Sequence, residues 1–214
     1  MAVASLDPCP RPDDPLQGLE QALCRVVDAL ERREIPYLVV GGLASSVYGR
    51  PRFTTDIDVL VRPEDALRAL EALGGDGFET EETDPHWIYK ARWNGIVVDV
   101  LFALKGGIYL DDAMLRRSTL SLFRGCAVRV VPPEDLVVTK AIAHDEPSLH
   151  HWHDALGVLA RRQLDWGYLL ERGRTGARRL LSLLVYAQAE DLVVPDWVVR
   201  RLTDAVYPPA PAER

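Results

Sequence analysis

Asn94-Gly95 constrains this chain more than any other feature. The dipeptide stands between two apolar-rich runs, His86 to Trp93 and Ile96 to Phe102, and it is the strongest two-residue hairpin signal a sequence carries. The two runs are therefore expected as strands of one sheet. Pro36 to Val40, Thr54 to Val61 (TTDIDVLV), Phe78 to Thr80 and Cys126 to Val131 read as further short strands, rich in β-branched residues. Helical periodicity alternates with them. Leu19, Leu23, Val26, Val27 and Leu30 recur along Leu16 to Arg33, and RPEDALRALEAL opens with Pro63 and two acids, a good helix N-terminus. Pro132-Pro133-Glu134-Asp135 opens a helix running to about His144. His150 to Arg162, Arg174 to Glu190 and Pro195 to Val206 follow as helices, with Leu180, Leu181, Leu183, Leu184 and Val185 expected on a packed face. The expected fold is α/β: a mixed, twisted sheet with flanking helices, then a C-terminal helical subdomain. The boundaries read as a disordered lead-in over 1–15, a sheet-bearing domain over 16–131, helices over 132–208 and a tail over 209–214.

Composition bounds the function. A chain of 214 residues that is 48% hydrophobic and 27% charged has the make-up of an ordinary globular protein, and no run is apolar enough to span a membrane. The N-terminus lacks a basic start and an apolar stretch, so a cytoplasmic location is expected. Cys9, Cys24 and Cys126 form no CxxC pair, which leaves a disulfide framework or a structural zinc site unsupported. Net charge is −7, which excludes general nucleic-acid binding and allows at most a local basic patch. Residues 151 to 214 are nearly neutral, with nine Lys and Arg against eight Asp and Glu.

Three carboxylates carry the chemistry. Asp56 and Asp58 are two apart on an expected strand, so both project from one face while Ile57 and Val59 point the other way. Asp99 sits in IVVDVLF, an otherwise apolar strand where an uncompensated carboxylate is costly. A bare DxD also suits the solvent side of an amphipathic strand. Here it comes fourteen residues after Gly42 of the Gly41-Gly42 turn and is followed by the lone Asp99, and the parts agree on one phosphate-and-metal site. Gly41 and Gly42 would let the backbone approach a phosphate, with Ser45 near a helix N-terminus that favours anions. Arg50 and Arg52, in the loop leading to the aspartates, are either phosphate contacts or a solvated pair.

A hydrophobic strand, a glycine pair, hDhDh and a later carboxylate in a hydrophobic strand form a known pattern, and YLVVGGLAS, TDIDVLV and VVDVLF match it. The chain thus resembles the polymerase-beta-like nucleotidyltransferase superfamily. Within it, GGLASSVYGRPRFTTDIDVLV with PEDLVVTKAIAHDEPSLHHWHDALGVL looks like the AbiEii-like and minimal nucleotidyltransferase toxins. The resemblance spans roughly Ile35 to Leu159. It implies a polymerase-beta-like palm, two Mg2+ ions held by Asp56, Asp58 and Asp99, and a nucleoside triphosphate such as ATP as donor. For toxin members it also implies nucleotide addition to tRNA or modification of a protein partner, and it leaves a cognate antitoxin open. Lys140 corresponds to a nucleotide-contacting lysine and Asp154 to the acidic residue of the following helix. Family members usually place a basic residue just before that acid, whereas this chain has His150, His151, Trp152 and His153.

Outside this pattern the expectations are plainer. His150, His151 and His153 read as exposed histidines rather than metal ligands, because no second motif completes a site. Arg161, Arg162, Arg172, Arg174, Arg178 and Arg179 would either carry a tRNA backbone or form a solvated face. They favour RNA as acceptor over a small molecule of the aminoglycoside type, which calls for an acidic acceptor cleft. Trp87, Trp93, Trp152, Trp166 and Trp197 read as core or interface anchors. A non-catalytic binding module is the rival from another class, opposed by the presence of all three carboxylates.

Overall fold

A computed structural model describes residues 15–49, 54–145 and 150–208. The expected lead-in and tail fall almost wholly outside these residues, and Arg50 and Arg52 fall entirely outside them. The first helix, α1 (Pro15–Glu31), buries Leu19, Leu23, Val26, Val27 and Leu30, the stripe its periodicity announces. Each such side chain contributes about 1.5–3 kcal/mol when fully buried. Strand β1 (Tyr37–Val39) leads into α2 (Gly41–Tyr48), and β2 (Asp56–Val61) leads through a 3-10 turn into α3 (Ala66–Gly75). Then come β3 (Glu79–Asp84), β4 (Ile88–Trp93), β5 (Ile96–Leu101), α4 (Asp112–Arg117), β6 (Thr119–Phe123) and β7 (Cys126–Val130).

The seven strands form one sheet in the order β3-β4-β5-β2-β1-β7-β6. Strands β2 and β5 run parallel, as do β1 and β7, while the other neighbours are antiparallel. The sheet is therefore mixed, as expected. Asn94 and Gly95 form the β4–β5 turn with φ of 48° and 80°, the left-handed pair that a tight hairpin requires. That turn sets Trp93 opposite Ile96 and so Lys90 opposite Asp99.

Three differences from the sequence-based expectation have physical reasons. Strand β3 runs over ETEETD rather than Phe78 to Thr80, and its acids are tolerated because it is an edge strand with both faces wet. Strand β6 has no counterpart in the expectation. It pairs with β7 through Arg124-Gly125, whose φ values of 47° and 92° repeat the Asn94-Gly95 geometry without its familiar residues. Helix α4 was equally unannounced; the side chain of Asp111 caps it, accepting from the Met114 amide at 2.9 Å.

From Pro133 onward the described elements are all helical: α5 (Pro133–Ala143), α6 (His150–Arg161), α7 (Trp166–Arg172), α8 (Ala177–Ala189) and α9 (Asp196–Val206). A 3-10 turn over Gly173–Gly176 precedes α8, which therefore begins later than expected. Leu180, Leu183, Leu184 and Ala187 are its buried face, whereas Val185 points outward because it lies off that i, i+3, i+4, i+7 stripe. Among the described residues no helix is long and apolar enough to cross a membrane.

Candidate active site

Strand β2 alternates as its sequence demands: Ile57 and Val59 are fully buried on one face, and Asp56 and Asp58 turn to the other. The parallel pairing with β5 places Asp58 beside Asp99 in register. Across four neighbouring strands the register therefore reads Asp58, Asp99, Lys90, Glu81 on one face. Carboxylates from three sequence positions meet on one side of the sheet because two strands far apart in sequence run parallel in its middle.

Helix α2 begins directly after β1, where the Val40 amide donates to the Asp58 carbonyl at 3.0 Å. Gly41 has φ +64°, and a Cβ built on it would overlap the Asp58 carboxylate. Glycine is thus required twice there, for backbone conformation and for room. Burial pushes the Asp58 carboxyl up to about 6, and repulsion from Asp56 and Asp99 adds to the rise. Lys140 and the Gly42 amide oppose it. The Thr54 hydroxyl donates to Asp56, and the Lys90 ammonium is 2.6 Å from Asp99.

These acids line a cleft of about 420 Å3, a volume suited to a small ligand. Gly41 and Gly42 border it on one side, Trp87 and Leu101 on another, and Lys140, His150 and His151 come from the helices. A larger groove of about 760 Å3, lined by Arg161, Arg162 and Trp166, contains none of the three carboxylates.

A family model described as "Uncharacterised nucleotidyltransferase" matches residues 17–202. The chain belongs to this nucleotidyltransferase family. No curated protein matches it. Among solved structures, the enzyme is similar to ANT(2'')-Ia in complex with adenylyl-2''-tobramycin, with a TM-score of 0.50 at 15% identity over 80% of this chain and 99% of that one. It is similar to the lincosamide antibiotic adenylyltransferase LnuA, lincomycin-bound, with a TM-score of 0.50 at 14% identity over 67% of this chain and 98% of that one. MenT4, a nucleotidyltransferase toxin of Mycobacterium tuberculosis, aligns at a TM-score of 0.42 and 16% identity over 84% of this chain and 68% of that one. At these identities the likeness to ANT(2'')-Ia and LnuA shows a common fold.

The nucleotidyltransferase brings together Gly41, Gly42, Asp56, Asp58, Asp99 and Lys140 of the residues singled out from sequence. Ser45 is corrected: it is 0% exposed and its hydroxyl donates back to the Gly41 carbonyl at 2.9 Å, as small hydroxyls do inside helices. It supports the α2 turn from behind and does not face the cleft. Asp154 is also 0% exposed and pairs with Lys140 at 3.0 Å, so among the described residues it reaches the cleft through that lysine. Arg52 lies outside the described residues.

Trp87 and Lys105, which line the cleft, and Lys90, which pairs with Asp99, escaped the sequence. Lys90 was legible in principle, because a two-residue Asn94-Gly95 turn counts back to Lys90 opposite Asp99. Trp87 lies outside the core, on the cleft wall: it is 46% exposed and its indole donates to Asp84 at 3.0 Å. Nothing local distinguishes a wall indole from a core one.

Three carboxylates are hard oxygen donors of the kind Mg2+ takes, and their mutual repulsion at Asp58 is what a cation would relieve. As placed, they do not converge: among the described residues no three acidic, imidazole or thiol groups could hold one ion together. Lys90 takes the Asp99 carboxylate instead. The chemistry of the set fits the ion, with Lys90 its competitor.

Proposed function

We propose that the enzyme moves a nucleoside monophosphate from a nucleoside triphosphate to a hydroxyl of a small ring-bearing acceptor. The observation that carries this is the registered Asp58–Asp99 pair, with Asp56 on the same face, at the floor of a ligand-sized cleft that opens beside Gly41. Asp56, Asp58 and Asp99 are the residues that would hold magnesium once their carboxylates draw together, and the ion would neutralise charge on the reacting phosphates.

The chain's own residues do the rest. Gly41 and Gly42 admit the triphosphate close to the backbone, and Lys140 offers it a positive charge. Asp99 accepts the proton of the acceptor hydroxyl, and Lys90, 2.6 Å from it, orients that carboxylate. The hydroxyl oxygen bonds to the α-phosphorus, the bond from that phosphorus to the bridging oxygen breaks, and pyrophosphate leaves.

Three of the six arginines give RNA no support, because the protein itself engages them. Arg162 donates to the carbonyls of Val47 and Tyr48 at 2.8 and 3.1 Å, and Arg172 is bound to Asp111 and Asp135 at 2.5 Å each. Arg179 reaches the His144 carbonyl. Guanidinium groups engaged inside the fold are poorly placed for a phosphate backbone. An antitoxin partner rests on resemblance alone.

The test is incubation of purified enzyme with Mg2+ and each α-labelled triphosphate, supplied in turn with a small-molecule extract, total RNA and protein. Label is expected in the small-molecule fraction. Asp58→Asn and Asp99→Asn should each lower the rate by about a thousandfold or more with the fold intact by circular dichroism, since a group used only in the transition state acts on kcat. A full-rate variant overturns the carboxylate assignment, and label on RNA overturns the acceptor.

A further inference from the structure

We infer that Trp87 is the platform on which the acceptor's ring lies while its hydroxyl is presented to the α-phosphate, an inference that rests on the transfer reaction proposed above.

The order of parts across the sheet carries it. Along β1, β2, β5 and β4 stand, in turn, the Gly41-Gly42 end of α2, the Asp56 and Asp58 pair, Asp99, and Trp87 at the start of β4. All of them line the same cleft. Phosphoryl transfer needs the attacking and leaving oxygens roughly in line through phosphorus. With the triphosphate at the glycines and the α-phosphate over the aspartates, pyrophosphate departs toward β1. The acceptor must then enter from the β4 side, where Trp87 forms the wall.

The indole is held ready there. Asp84 accepts from Trp87 Nε1 at 3.0 Å and from the His86 amide at 2.9 Å. The Trp87 carbonyl accepts from the Phe102 amide at 3.0 Å, tying the turn to the end of β5. A large apolar ring left half-exposed in a ligand-sized cleft, with its polar tip already bonded, offers only its face. A flat hydrocarbon face is what it can receive.

Charge narrows the class. The neighbouring strand β3 carries Glu79, Glu81, Glu82 and Asp84 at the edge of the sheet, with Glu81 paired to Arg92 at 3.1 Å. A phosphate backbone entering from that side would run against carboxylates. A sugar or amino sugar would not, and an ammonium on it would gain from both the acids and the indole face. The acceptor is thus a hydroxylated sugar-type ring.

The experiment follows the indole N–H signals of 15N-labelled full-length enzyme. The chain has five tryptophans, and the signal lost in Trp87→Phe identifies Trp87. Tobramycin, lincomycin and bulk tRNA are titrated separately, and a non-hydrolysable ATP analogue serves as donor control. Tobramycin or lincomycin should move the Trp87 signal, and Trp87→Ala should weaken that binding roughly tenfold, the scale of losing a stacking ring. Trp87→Phe should restore most of it, and the affinity for the ATP analogue should be that of the parent enzyme.

A Trp87 signal moved by neither antibiotic overturns the inference. Movement with tRNA alone overturns the sugar class, and weakened ATP-analogue binding in Trp87→Ala puts the indole on the donor side and overturns the acceptor role. The transfer reaction stands or falls separately, on whether the parent enzyme moves label from any triphosphate.

Discussion

At the scale of single residues, Gly41 is the least replaceable position described. Its positive φ costs any other L-residue about 1–2 kcal/mol, and the added methyl would displace the Asp58 carboxylate as well. Gly41→Ala should therefore lower the thermal midpoint by several degrees. It should reduce kcat at least a hundredfold, far more than the stability loss explains, because a carboxylate moved by an ångström loses its geometry. A variant with normal kcat would show that Asp58 need not stand where it does. Much at this scale was legible: the glycine pair, the DxD and the lone Asp99 each break the local apolar pattern and so mark themselves. The places of Trp87 and Ser45 were not legible, for the opposite reason. A tryptophan before a strand and a serine in a short helix look alike whether they face a cleft or the core, and only the fold tells them apart.

At the scale of elements, one polar network joins the helices. Asp135 of α5 accepts from Arg172 Nε at 2.5 Å and from the Tyr168 hydroxyl at 2.8 Å. Arg172 also reaches Asp111, the N-cap of α4. Burial raises the Asp135 carboxyl above its ordinary value while Arg172 opposes the rise. Removing one member of a buried pair strands the other, at about 3–5 kcal/mol. Arg172→Ala should cost about that much in urea unfolding, with Asp135→Asn in the same background recovering part of it. A loss in the double variant equal to the sum of the two single losses would show that the pair is not coupled. Helix positions were mostly readable from periodicity and proline starts, but this network was not, because Asp111, Asp135 and Arg172 are separated by folding distance that no local pattern encodes.

At the scale of the whole molecule, two cleft groups give stability opposite dependences on pH. Asp58 has its carboxyl raised to about 6, so its contribution is greatest below its unfolded value and is lost as pH rises through about 6. His151 is lowered to about 4, by burial first and by Lys140 and His150 next. Its contribution is present above the unfolded value and is lost as pH falls toward about 4. Between these values the two offset each other. Metal-free His151→Gln should therefore gain more thermal stability, or lose less, than the parent on going from pH 7 to pH 5; an identical pH profile would remove His151 from the balance.

The cleft also has a lineage-level consequence. Its floor is sheet and its roof is α5 and α6, and α2, which carries Gly41, packs against both helices. Arg162, just past the end of α6, grips the last carbonyls of α2. Neither half is a cassette that recombination could swap freely. A gene fusion or circular permutation that parted Val131 from Pro133 would have to preserve both pieces in contact, so new acceptors are more easily acquired by changing the β3–β4 rim around Trp87 than by exchanging the helices.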